Sequence, residues 1–143
     1  MSVYQSTVAT KQVENYSVKL RPTDFGGRVR AIHGEVDVTS ALASGSIIEL
    51  ARIPVGARVL PLSQVHFEAG QSASLTVKIG DYADDDRYFA AAAPGASATS
   101  ISFTGNRLGD YVTEAESMLI LTTGGASTTA AKKIVFDIIY VVD

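Results

Sequence analysis

The chain has 143 residues, 46% of them apolar, a formal net charge of −3 and no cysteine. One domain of this length buries about 68–70% of its unfolded surface, which predicts a packed core rather than disorder. The lack of cysteine excludes disulfides, thiolate catalysis and Cys-based zinc sites, and the weak charge, without a basic stripe interleaved with aromatics, argues against a nucleic-acid surface.

Residues 1–26 differ from the rest of the chain. Ser2–Thr10 is polar and β-tolerant without a sustained period, and Arg21-Pro22-Thr23-Asp24-Phe25-Gly26-Gly27 closes the segment with strong breakers. Two readings stand: a poorly ordered terminus, or an extended arm that pairs with a neighbouring chain. Val8, Val13, Tyr16, Val18 and Leu20 supply apolar anchors that a merely solvated tail would not need, which tips the reading to the arm. Met1–Gln5 has neither a basic n-region nor an apolar h-region, so no signal peptide is expected, and no window approaches the roughly 18 apolar residues of a membrane span. Assembly in a cytoplasm, away from membranes, is the expectation.

From Arg28 the apolar period is two. Ile32, Gly34, Val36 and Val38 share one face and His33, Glu35 and Asp37 the other, as in a half-buried strand. A second strand is expected over Ser46–Ile53, followed by a turn at Pro54-Val55-Gly56. Val65, Phe67 and Ala69, then Leu75, Val77 and Ile79, alternate on either side of Gly70-Gln71-Ser72 and predict a hairpin. The stretch Asp84–Pro94 fits a short helix capped by Asp and stopped by Pro94, or equally an irregular crossing between sheets. A brief strand is expected at Ile101–Phe103, a turn at Gly105–Asp110, and strong strands at Met118–Thr122 and Lys133–Val142. The last of these is apolar on both faces except for Asp137. It is therefore central with both faces covered, or it shows its second face to a partner. Seven or eight short strands with regular turns predict an all-β antiparallel sandwich, and the irregular crossings favour a jelly roll. The immunoglobulin pattern of Cys and Trp is absent.

Little in the chain suits catalysis. His33 and His66 each stand alone on the polar phase of a strand with no third metal ligand spaced nearby, and are read as solvent-facing. Asp81, Asp84, Asp85 and Asp86 lack the spacing and glycine of a calcium loop. They read as a solvated turn or helix start in which one Asp pairs with Arg87 or caps backbone N–H groups. No nucleophile elbow is present, and Gly26-Gly27 and Gly124-Gly125 lack the context that would cradle phosphate. The expectation is a chain with no catalytic residue, no metal and no cofactor.

The succession Asp24-Phe25-Gly26-Gly27-Arg28-Val29-Arg30, Arg52-Ile53-Pro54-Val55-Gly56-Ala57-Arg58-Val59-Leu60, Ile79-Gly80 … Asp86-Arg87-Tyr88 and the closing Ile139-Tyr140-Val141-Val142-Asp143 resembles the head cement (decoration) proteins of short-tailed bacteriophages. The resemblance implies a jelly-roll domain over residues 27–143 preceded by an extended arm over 1–26. It further implies a homodimer or homotrimer on the outer surface of the virion capsid, assembled in the host cytoplasm, that bridges major capsid protein subunits. Implied contact residues are Tyr4, Val8, Val13, Tyr16 and Leu20 in the arm, with Val135, Ile139 and Val141 on the exposed phase of the last strand. Arg28, Arg30, Arg52 and Arg58 are read either as reaching acidic capsid surface or as ordinary surface arginines. The alternative function is a carbohydrate- or receptor-binding jelly roll on a phage fibre or tail, using Tyr82 or Tyr88.

Overall fold

The computed structural model describes residues 28–104 and 111–142. The described residues form nine strands and no helix: β1 (Arg28–Val38), β2 (Ile47–Ile53), β3 (Arg58–Val59), β4 (Gln64–Phe67), β5 (Thr76–Asp81), β6 (Asp84–Ala92), β7 (Thr99–Ser102), β8 (Ser117–Gly124) and β9 (Lys132–Val142). One sheet has the order β1-β9-β4-β7, with β3 also paired to β9; the other has the order β2-β8-β5-β6. Setting aside the two-residue β3, the antiparallel pairs are nested. The first strand pairs with the last (β1·β9), the second with the second-last (β2·β8), and then come β4·β7 and β5·β6. One long hairpin wound over itself into two facing sheets gives this pattern, which is the jelly roll the sequence predicts.

Alternation fixes the faces. Ile134, Phe136, Ile138 and Tyr140 of β9 point inward, where they meet Val65 and Phe67 of β4 and, from the facing sheet, Val77, Ile79, Leu119 and Leu121. Each such large apolar side chain contributes about 1.5–3 kcal/mol by leaving water, so the sandwich interior is the main source of stability. The strands predicted around Arg28, Ser46, Met118 and Lys133 are all present, as is the turn between β2 and β3.

Two expectations change. Val65–Ala69 and Leu75–Ile79 do not form a hairpin: β4 lies in one sheet and β5 in the other. Val65, Phe67, Leu75 and Ile79, all fully buried, face one another across the core instead of lying side by side. Period-two patterning reports which face of a strand is buried and is silent on whether its chain neighbour lies beside it or opposite. The segment from Asp84 is neither a helix nor a crossing but an edge strand, β6, whose pairing with β5 is interrupted by two register shifts.

Buried hydroxyls hold the loops at the ends of the sandwich. Thr113 is the densest case: its Oγ1 donates to the Pro54 carbonyl at 2.6 Å and accepts from the Ala57 N–H at 2.9 Å. Its own backbone exchanges hydrogen bonds with Gly56 and Ala57. Ser63, also buried, fills the gap between β3 and β4, where its Oγ accepts from the Ile139 N–H and donates to the Ile139 carbonyl. Replacing Thr113 by Val keeps the shape and removes the hydroxyl, which strands a buried donor and a buried acceptor. Thr113→Val is expected to lower unfolding free energy by about 1–3 kcal/mol, seen as a lower urea midpoint at unchanged slope.

Candidate interaction surface

The outer face of the β9 sheet carries the odd residues of β1 and β9, and it is divided along its length. At one end His33 sits opposite Asp137, with Nδ1 and Oδ1 2.7 Å apart. Next to them Lys133 reaches Glu35 at 3.2 Å and Asp37 at 3.5 Å, and its backbone N–H donates to Glu68. The hydrogen bond that Lys133 donates to Glu35, helped by Asp37, holds its ammonium above its ordinary pKa. These pairs are exposed, so they set register and charge pattern more than stability.

The other end of the same face is apolar. Val29, 67% exposed, pairs with Val141, and the exposed Ala31 pairs with half-buried Ile139. Leu62, also 67% exposed, lies in the loop whose neighbours Leu60 and Ser63 both bond the Ile139 backbone. Val29 and Leu62 are invisible to alternation alone. Val29 looks like the start of an ordinary strand, and Leu62 sits in a loop that runs along the edge of β9 after β3.

The predicted contact residues fall as follows. Val135 and Ile139 lie on the outward phase and are half-buried. Val141 is on the same phase but, contrary to expectation, is only 7% exposed, because β9 has a neighbour on each side at that row, Val29 in β1 and Arg58 in β3. Tyr4, Val8, Val13, Tyr16 and Leu20 lie outside the described residues. Of the expected arginines, Arg52 pairs with Glu116 at 3.1 Å on the other sheet.

The acidic run resolves into one buried carboxylate and three exposed ones. Asp81, 3% exposed, accepts from the Ala83 and Asp84 N–H groups at one oxygen and from Arg87 Nε at the other, 2.8 Å away. It therefore performs both structural roles expected of the run, capping the β5–β6 turn and pairing with Arg87. Burial works against the Arg87 charge, but the hydrogen bond and attraction from Asp81 outweigh it and raise the pKa. The guanidinium also lies 3.9 Å from the centre of the Tyr111 ring, and Tyr111 in turn meets Tyr88, which stacks on Phe103. Gly80 makes the turn possible: a methyl there would overlap the Asp84 carbonyl oxygen and the Asp85 carbonyl carbon. Asp84, Asp85 and Asp86 place carboxylate oxygens within 4.8 Å of one another in the open, and Lys78 pairs with Asp85.

Beside this turn an open groove of about 580 Å³ is lined by Glu49, Arg52, Tyr82, Tyr111, Glu114 and Met118, among others. Tyr82, 63% exposed, donates a 2.6 Å hydrogen bond to Glu49, which raises the phenol pKa. Tyr88 is only 1% exposed, so it is a core ring and no platform for a sugar. Burial pushes its pKa up.

No protein-family model matches the chain, and neither does any curated protein sequence. Solved structures do. A chain in the capsid of Ralstonia phage GP4 superposes with a TM-score of 0.68 at 19% identity, covering 82% of this chain and 86% of that one. A chain in the capsid asymmetric unit of cyanophage Pam1 gives 0.65 at 22% identity, covering 100% of both. A chain in the acid-stable capsid of Helicobacter pylori bacteriophage KHP30 gives 0.53 at 14% identity, covering 80% and 87%. At these identities the likeness is one of fold.

Asp81 is the residue on which the β5–β6 end depends. Asp81→Ala is expected to cost about 3–5 kcal/mol, because it leaves Arg87 without its carboxylate and the turn amides uncapped. Asp81→Asn keeps an acceptor for the turn and is expected to lose less; equilibrium denaturation of the two variants side by side checks the order.

Proposed function

We propose that the chain is a structural component of a bacteriophage head: a cement, or decoration, protein that binds the outer capsid surface and stabilises contacts between major capsid protein subunits. The observation that carries this reading is the likeness in fold to a chain of the cyanophage Pam1 capsid, which covers 100% of both chains. The divided outer face of the β9 sheet supports it, since an apolar patch flanked by charged pairs suits a protein partner. The work is contact rather than catalysis. Repeated around a shell, many modest contacts of this kind add up to a large collective stabilisation.

The fibre or tail alternative draws on the exposed Tyr82 in its acidic groove. Tyr88, the other ring named for it, is buried in the core, which favours the capsid reading.

Incubating the purified chain with expanded heads that lack it, followed by electron cryomicroscopy, tests the proposal. Ordered copies on the outer surface at positions between capsomer subunits are expected, and the heads should resist higher temperature. Leu62→Asp, an exposed change with little effect on folding, is expected to lower occupancy at least tenfold. Heads that stay bare, or virions that carry the chain only in tail or fibre, overturn the reading.

A further inference from the structure

Among the described residues the two sheets end on four strands, β1 and β7 in one and β2 and β6 in the other. β7 has only four residues, β2 is bulged between Glu49 and Ala51, and β6 pairs with β5 through two register shifts. β1 differs: its eleven residues pair with β9 without a shift, and its other edge meets no described strand. The hydrogen-bond phase of that edge follows from β9. Ile139 and Lys133 bond Leu60, Ser63 and Glu68 on the far side of β9, so the even residues of β9 are the ones that bond β1. The register joins even to even, as in Ile32 with Ile138. Val29, Ala31, His33, Glu35 and Asp37 therefore turn their N–H and C=O groups to the free edge.

This edge is charged, and its charges are ordered. Arg28 and Arg30 lie in the first half of β1, Glu35 and Asp37 in the second, and Ala31-Ile32-His33-Gly34 between them carries no Lys, Arg or carboxylate. Charge on an edge strand usually keeps other strands away. A segregated pattern selects a partner instead. A copy of β1 running antiparallel brings its acidic half beside the basic half, whereas a parallel copy sets arginine beside arginine. We propose that β1 pairs antiparallel with β1 of a second copy of this chain, about a two-fold axis through His33, so that two sheets join into one. The inference goes beyond the capsid reading and does not rest on it, since it draws only on the geometry and charges of the strand itself.

The groups free on the edge set the register. With the axis at His33, Val29 faces Asp37, Ala31 faces Glu35 and His33 faces its own copy, so each of these outward-turned residues meets another. Moving the axis to Gly34 sets Val29 against Thr39, whose N–H is already bonded to the Asp37 carbonyl. Moving it to Ile32 leaves Asp37 beyond the end of the partner strand. On the core phase Arg30 faces Val36, and Ile32 faces Gly34, over which the Phe136 ring lies. Ile32 and Val36, half-buried at the rim of the core, gain cover on their open side. No like charges stand opposite one another, and each His33 ring is drawn toward Asp137 of its own chain, away from the axis. Such an interface is self-complementary and closes at two copies.

The chain has no cysteine, so disulfide trapping in the full-length protein tests the proposal cleanly. Arg30 and Val36 form a close pair across the axis, with Cα atoms about 4.5 Å apart, within reach of a disulfide. Within one chain they stand about 20 Å apart along the same strand, so an internal bridge cannot form. Under mild oxidation Arg30→Cys/Val36→Cys is expected to run as a covalent dimer in more than half of its mass, and each single variant as a monomer. Ala31→Pro removes an N–H that serves the free edge alone and leaves the bonds to β9 in place. By circular dichroism and sedimentation it is expected to be folded and monomeric at concentrations where the native chain is a dimer. A double-cysteine protein that stays uncrosslinked, a folded Ala31→Pro variant that still dimerises, or efficient cross-linking of Ile32→Cys alone, which moves the axis, each overturns the proposal. Dimers that leave phage heads bare would defeat the cement reading and leave this one standing, whereas a monomer that decorates heads would do the reverse.

Discussion

The architecture depends on β9 being paired along both edges. β1 covers one edge at every residue, while β4 and β3 share the other, with the Ser63 hydroxyl closing the gap between them. An eleven-residue strand with apolar residues in both phases cannot be left at the rim of a sheet. Once it is central, its inner phase becomes the middle of the core and its outer phase becomes a surface. The nested pairing is then a consequence, because joining the first strand to the last obliges the strands between them to pair inward two by two.

Polar chemistry holds the ends. Thr113 and Thr123 each satisfy backbone groups of a distant loop from a buried position, and Asp81 does so for the β5–β6 turn while pairing with Arg87. These contacts explain why the Ile53–Leu60 and Ile79–Tyr88 stretches stand out in the chain: both are tight returns in which backbone groups need partners and side-chain volume is limited. Their prominence reports fold geometry. The function reading draws instead on surface, on Val29, Leu62 and Ile139.

Much of the fold is legible in the chain because one face of most strands is buried and the other is not. That contrast marks Ile32–Val38 and Ile48–Ile53, whereas Met118–Thr122 and Ile134–Val142 are marked as strands by apolar residues in both phases. It fails where pairing partners must be chosen, as for β4 and β5, since strands that face each other across a core carry the same pattern as strands lying side by side. It fails again at β6, where a run of Asp and Ala carries little strand preference and tertiary pairing decides. The outward phase of the last strand is readable, but the covering of Val141 is not, because it depends on β3, a two-residue strand with no pattern of its own. Val29 and Leu62 escape notice for a similar reason: exposure of an apolar side chain is a property of the assembled surface.

One constraint joins fold to function. β9 is bonded along both edges, so its inner phase builds the core and its outer phase is the surface on which the proposed capsid contact draws. Residue-by-residue hydrogen exchange of the full-length protein tests this most directly. With β9 paired along both edges, its amides from Ile134 to Val141 are among the slowest to exchange, odd and even positions alike. If alternate amides along β9 exchange as fast as those of an unpaired chain, one of its edges is bare and the account is wrong.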